Sequence, residues 1–264
     1  VRFDEASAVH QVAETKWSGV VQPDWDIFGF ANGGYLMAIA ARAMSEATGG
    51  RTPVSVTAHF TRPVSAGPVE IAVDLIKEGR TFSTMKAQIG SETGSVSLMG
   101  SFADPERSDH EVAYIGASPP EIPPPEECVR LAPAVDGPLP PPLVGRFDER
   151  IHPEDVGVLR GELTGVPMMR GWFRLLDGEP LDPFTPLLVA DALPPAIFNL
   201  DIPMGWTPTL EMTTHVRARP TTEWLRCQFT TRFVTGGFLE EDGEIWDQTG
   251  RLVALSRQLA LVAR

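Results

Sequence analysis

Cysteine is scarce in this 264-residue chain. Only Cys128 and Cys227 occur, so no disulfide framework can hold the fold, and both read as bystanders in a reduced, cytoplasmic compartment. No apolar run is long enough to cross a bilayer. The opening VRFDEASAVHQ has neither the basic nor the apolar region of a secretory signal, so none is expected. Basic residues are outnumbered, 22 Lys and Arg against 35 Asp and Glu, for a net charge of −13. That balance argues against nucleic acid as a partner. Motifs for several chemistries are missing as well. There is no G-x-S-x-G elbow for a serine hydrolase, and no H-E-x-x-H or C-x-x-C for a protein-built zinc site. Neither a Rossmann fingerprint nor a P-loop is found, so no metal and no bound cofactor are expected.

What the chain does have is an internal repeat. VSVTAHFTRP at 54–63 and LEMTTHVRARP at 210–220 occupy matching places, as do ETGSVSLMGSFA at 92–103 and QTGRLVALSRQLA at 248–260. At a constant offset of 156, Thr57 meets Thr213, His59 meets His215, Phe82 meets Phe238, Ile89 meets Ile245, Thr93 meets Thr249 and Gly94 meets Gly250. A fixed offset over this much chain implies two copies of one structural unit. Between them lies PPEIPPPEECVRLAPAVDGPLPPP at 119–142, too rich in proline for a helix or a central strand. It reads as an extended connector crossing the surface. The expected division is a first domain over 1–115, a linker over 116–146 and a second domain over 147–264.

Each copy shows one apolar helical segment and then strands. In the first, GGYLMAIAARAMSEAT at 33–48 has helical periodicity and ends at Gly49-Gly50. Alternating segments follow at 54–62, 69–77, 82–90 and 95–103, with turn residues between them, as in an antiparallel meander. The second copy predicts a strand over 169–176, an apolar helix over 185–200, and strands near 209–219, 223–234, 243–247 and 251–262. An α+β class follows, with a helix on a curved antiparallel sheet, twice.

Differences between the copies single out residues. Asp191 sits in LLVADALPP, where burial would penalise its charge and raise its pKa, unless it is a helix residue whose side chain merely reaches the surface. Gln258 stands where the first copy keeps Phe102, and an amide that both donates and accepts suits a water or a polar substrate atom. Alternation places Gln258 opposite Leu255, Leu259 and Leu261 on the last strand, although a solvated face would also accept it. Thr209, Glu211, Thr213, His215 and Arg217 share one face of their strand. Because Thr57 and His59 repeat this face, most of it is expected to serve the fold. Asn32 reads as a helix N-cap. Gly33 and Gly34 either allow close backbone approach or leave N–H groups free for a carbonyl or anion.

Taken together, FANGGYLMAIAARAM, VTAHFTRP, KEGRTFSTMKAQI and SLMGSFADPE in the first copy resemble the acyl-CoA thioesterase II (TesB-like) family. VADALPPA, TLEMTTHVRARPTTEWL and DQTGRLVALSRQLALV in the second do likewise. The resemblance implies a tandem (double) hotdog, each unit a long helix wrapped by a curved antiparallel sheet, which commonly associates into homo-oligomers. It also implies hydrolysis of a fatty acyl thioester by water without a covalent intermediate. The matching motif positions are Asp191 as base or orienter, with Thr209 and Gln258 holding the water. Anchoring on Arg219-Pro220 instead shifts the hydroxyl position to Leu210, with Thr213 as the alternative. Trp172, Phe173 and Phe198 are expected along an acyl tunnel, and Arg62, Arg80, Arg217 and Arg219 are candidates for coenzyme A phosphates. A degenerate hotdog that binds acyl groups without turnover is the second reading. Hydratase chemistry, which needs an Asp–His pair in a short motif, ranks third because no such pair is read here.

Overall fold

The computed structural model describes residues 1–91, 94–104, 114–137, 139–203 and 205–263, so part of the expected Thr93-Gly94 turn lies outside it. After the short helix α1 (Phe3–Ala6), the first half contains β1 (Val9–Ala13), β2 (Lys16–Val21) and the small pair β3 (Asp26–Ile27) and β4 (Phe30–Ala31). Helix α2 (Gly33–Ala47) and strands β5 (Thr52–Arg62), β6 (Gly67–Lys77), β7 (Phe82–Gly90) and β8 (Ser95–Ala103) complete it. The second half has β9 (Val129–Arg130), β10 (Phe147–Ile151), β11 (Met168–Leu175), α3 (Thr185–Val189) and β12 (Thr209–Val216). It ends with β13 (Leu225–Thr230), β14 (Val234–Thr235), β15 (Phe238–Asp247) and β16 (Leu252–Leu261).

All strands except β3 and β4 join one antiparallel sheet, ordered β1-β2-β6-β7-β8-β5-β12-β16-β15-β13-β11-β10-β9, with β14 off this path and paired to β15. The order mirrors itself about the β5–β12 contact, so β8 corresponds to β16, β7 to β15 and β6 to β13. At this seam Thr57 pairs with Thr213, and their hydroxyl oxygens lie 2.9 Å apart. The repeated threonines therefore stitch the two halves together, as their presence in both copies suggests. β1, β2 and β10 lie outside the strands expected from the sequence.

Helix α2 is covered on nearly every side; Tyr35, Met37, Ala38, Ile39, Ala40 and Ala41 have no exposed surface. Asn32 caps it, its Oδ1 accepting the Tyr35 N–H at 2.9 Å. The second copy departs from the expected pattern. Instead of a helix over 185–200, α3 stops at Val189 and a 3-10 turn follows at Ala196–Asn199. The expectation of a long helix in each unit is corrected here. Pro194 and Pro195 explain the stop: proline lacks the N–H a helix needs, and it pushes the preceding residue out of helical geometry. Asp191 consequently lies just beyond the end of a short helix, its N–H still donating to the Leu188 carbonyl at 3.1 Å.

The proline-rich stretch is not a free surface strap. Cys128 and Leu131 are buried within it, Leu143 and Val144 just beyond it, and β9 pairs with β10. Trp172 Nε1 donates to the Pro123 carbonyl at 2.7 Å, and Arg226 Nη1 donates to that of Pro120 at 3.2 Å. These bonds attach the stretch to the second half of the molecule.

Candidate active site

A cavity of about 410 Å³ opens where the two halves meet. Its wall takes in the start of α2, the Asp191–Pro195 turn, the start of β12, the inner faces of β15 and β16, and the proline-rich stretch at Leu139–Pro141. Phe30 and Trp206 stack at 5.0 Å between ring centroids on its wall. Most of the lining is apolar, so the few polar groups stand out.

Asp191 is the first of these. Its Oδ2 accepts the Asn32 Nδ2–H at 2.8 Å and the Gly34 N–H at 3.1 Å. Asn32 Nδ2 also donates to the Asp191 backbone carbonyl at 2.7 Å. The carboxylate of the second half thus caps the helix of the first, where the N–H groups favour negative charge. Neither of these bonds uses Oδ1. The side chain keeps some accessible surface and lines the cavity. Burial accordingly pushes its pKa up to about 6, against the opposing pull of the Gly34 and Gly33 N–H groups. Of the two expectations for Gly34, close approach holds, and its N–H is engaged by Asp191 rather than open to a carbonyl or anion.

Both glycines lie at close approaches, Gly34 against backbone and Gly33 against side chains. A Cβ on Gly34 would run into the Leu187 carbonyl oxygen and come within 2.9 Å of that of Leu188. One on Gly33 would lie 2.8 Å from the Phe60 ring and 3.0 Å from Asp191 Oδ2.

Thr209 and Gln258 form the second group. The Thr209 hydroxyl donates to Gln258 Oε1 at 2.7 Å. Leu210 is the extra residue of a β-bulge, because Thr209 pairs with Ala260 and Glu211 with Leu259. The bulge explains the one-residue ambiguity of the sequence match. It also takes Thr209 off the face expected to be shared with Thr213. Thr209 turns inward beside Gln258, whereas Thr213 stays at the seam, bonded to Thr57 and donating to Glu211 Oε1 at 2.7 Å. Gln258 is buried at 9 % exposure while Leu255 and Leu259 face outward at 37 % and 40 %, so the amide stands on the inner face.

Sequence reasoning missed Glu241. It is 4 % exposed, lines the cavity, and accepts Gln258 Nε2–H at 2.8 Å and the Ala196 N–H at 2.6 Å. Burial pushes its pKa up to about 7; the Ala196 and Gln258 bonds oppose this, and the charges of Asp191 and Asp242 add to it. The run Glu240-Glu241-Asp242 looks like a solvated stretch. A signal did exist, since the repeat offset sets Glu241 on Met85, a fully buried residue of the first copy.

The remaining candidates divide. Arg62, exposed at the end of β5, borders the cavity. Arg80 lies in the β6–β7 turn, at the opposite end of the sheet, and is not part of the wall; nor are Arg217 and Arg219. Phe198 lines the cavity, but Phe173 belongs to the general core and Trp172 packs with Cys128 and Trp224. A D-x-x-x-H spacing passed over in the sequence does exist, at Asp148 and His152. Asp148 is bound by Arg150 and Arg174, and neither residue reaches the cavity. Among the described residues, His152, Glu154 and Asp155 come close enough together to suggest a metal site. Arg170 fills that space, donating to Asp155 at 2.9 Å and to Glu154 at 3.0 Å.

Comparison with known proteins agrees with the two-copy reading. Residues 21–103 match the model of the acyl-CoA thioesterase N-terminal domain, and residues 125–262 match that of the C-terminal domain. The crystal structure of a protein from Thermobifida fusca, described as a thioesterase II, superimposes with a TM-score of 0.88 at 34% identity, covering 100% of this chain and 98% of its own. The TesB protein of Mycobacterium avium subsp. paratuberculosis shares the fold, with a TM-score of 0.79 at 22% identity over 99% and 98% of the chains. An uncharacterized protein of Mycobacterium tuberculosis is 28% identical over 93% of this chain and 90% of its own length. With both of its halves matched, the chain belongs to the acyl-CoA thioesterase family of tandem hotdog proteins.

Proposed function

We propose that this chain hydrolyses an acyl-CoA thioester by direct attack of water. The observation that carries this reading is a carboxylate buried in an apolar cavity, Asp191, on a wall shared with the bonded Thr209–Gln258 pair. Oδ2 is anchored by Asn32 and Gly34, which leaves Oδ1 to accept a proton from water. Thr209 and Gln258 fix the water's approach. Its oxygen forms the new bond to the thioester carbonyl carbon, the C–S bond breaks, and the proton taken by Asp191 goes to the departing thiolate. The products are a free acid and coenzyme A. The apolar wall, including Phe30, Phe60 and Phe198, suits the acyl chain, and Arg62 at its border suits a phosphate of coenzyme A.

Thiol release from a panel of acyl-CoAs tests the reading. Binding without release at any chain length would replace it with that of an acyl-binding protein. Thr209→Val is expected to lower kcat by at least about tenfold, while Thr213→Val, altered only at the seam, should keep near-normal kcat. Steady-state rates for the two variants separate the registers. Arg62→Ala should raise KM for acyl-CoA several-fold yet leave KM for a short acyl-pantetheine unchanged, since that substrate lacks the nucleotide phosphates.

A further inference from the structure

Glu241 closes a chain of hydrogen bonds whose direction matters for catalysis. An ionised carboxylate can only accept, whereas an amide has one accepting and one donating end, and a hydroxyl can do either. Glu241 Oε2 takes the Ala196 N–H at 2.6 Å and its Oε1 takes Gln258 Nε2–H at 2.8 Å. With its NH2 held there, Gln258 must turn Oε1 toward Thr209, and the Thr209 hydroxyl donates its only proton to it at 2.7 Å. We propose that Glu241 is a positioning residue that sets the polarity of this chain, so that Thr209 meets the cavity with lone pairs alone and accepts a hydrogen bond from the attacking water. The water then has two acceptors, Asp191 Oδ1 and Thr209 Oγ1, and its own lone pair is left for the thioester carbon. This inference rests on the thioesterase reading.

The burial that raises the Glu241 pKa to about 7 makes the device titratable. Two charged groups act on it: Asp191 across the cavity, and its neighbour Asp242, which is itself bound by Arg257 and Arg232. On β16 it meets the neutral Gln258, and from the Ala196 turn a backbone N–H. A protonated Glu241 can donate to Gln258 Oε1, letting the amide reverse and present its NH2 to Thr209. Activity in the wild type should therefore need both Asp191 and Glu241 ionised. The acidic limb of kcat/KM should fall with the second power of proton concentration below both pKa values.

The decisive variant is Glu241→Gln, which keeps the shape. Its amide oxygen can still take the Ala196 N–H, but its NH2 then faces Gln258 and forces the reversed arrangement. In a preparation whose wild type releases thiol, kcat is expected to fall about 100-fold with KM little changed. The acidic limb should become first order in protons and move to lower pH. A double variant, Glu241→Gln with Gln258→Glu, restores an acceptor for Thr209 and is expected to recover at least tenfold of the lost kcat. Circular dichroism and the melting temperature verify the fold of each variant. Wild-type kcat and an unchanged limb in Glu241→Gln would overturn the proposal while leaving the thioesterase reading intact. So would a folded double variant no faster than the single one, because a purely structural role would not be rescued by the exchange. Lack of thiol release in the wild type would instead overturn the reading on which it rests.

Discussion

Asp191→Asn should abolish most thiol release and at the same time stabilise the protein. The amide is nearly the shape of the carboxylate, and its oxygen can still take the Asn32 and Gly34 donors that Oδ2 holds at 2.8 and 3.1 Å. What it loses is basicity, and removing a general base costs about 10²–10⁴ in rate. The stability gain follows from the raised pKa. A carboxyl lifted from 3.8 to about 6 by burial favours the folded state below about pH 4, and that contribution is lost as pH rises through 6. That rise corresponds to about 3 kcal/mol. The variant does not titrate in this window, so its advantage over wild type should grow by roughly that amount between pH 4 and pH 8. Denaturant melts at the two pH values measure it. An unchanged difference would mean that Asp191 is ionised in the folded protein as easily as in the unfolded chain.

Gly34→Ala should unfold the molecule more readily, against what helix propensity alone predicts. Within a helix, alanine is better than glycine by about 1 kcal/mol. Here the added methyl would meet the backbone carbonyls of Leu187 and Leu188 and the Cβ of Asp191. Backbone cannot rotate away as a side chain can, and overpacking of this kind costs about 3 kcal/mol. A net loss of about 2 kcal/mol should lower Tm by roughly 6 °C. Gly33→Ala meets mainly the edge of the Phe60 ring, which can shift, so its Tm should fall less. A Gly34→Ala variant melting at or above wild type would show that α2 and α3 have room to separate.

The architecture was legible because the repeat is written in alternating strands of ordinary length, and these fix β5 to β8 and most of β11 to β16. The second helix was not. TPLLVADALPPAIFNL is apolar enough for a helix, and only the proline pair reveals that it must break into a short helix and a turn. Thr209 was ambiguous by one residue because a bulge at Leu210 interrupts the period of two. A sequence alone gives little warning of such an interruption. Glu241 was hidden for a different reason. Its neighbours Glu240 and Asp242 point outward, so an acidic run concealed one carboxyl that points inward.

The mirror order of the sheet implies a second place where a site could have formed, with the roles of the two halves exchanged. At the repeat offset, Tyr35, Met85 and Phe102 stand where the other copy has Asp191, Glu241 and Gln258, and all three have no exposed surface. Three of the polar groups of the proposed chemistry are there replaced by large side chains that fill space, and the fourth, Thr209, by Pro53. The first half thus contributes apolar wall and a helix end to the cavity, and the second contributes Asp191, Thr209, Glu241 and Gln258. Neither half could form the proposed reaction centre without the other, because the Asp191 carboxylate rests on a helix contributed by its sister copy.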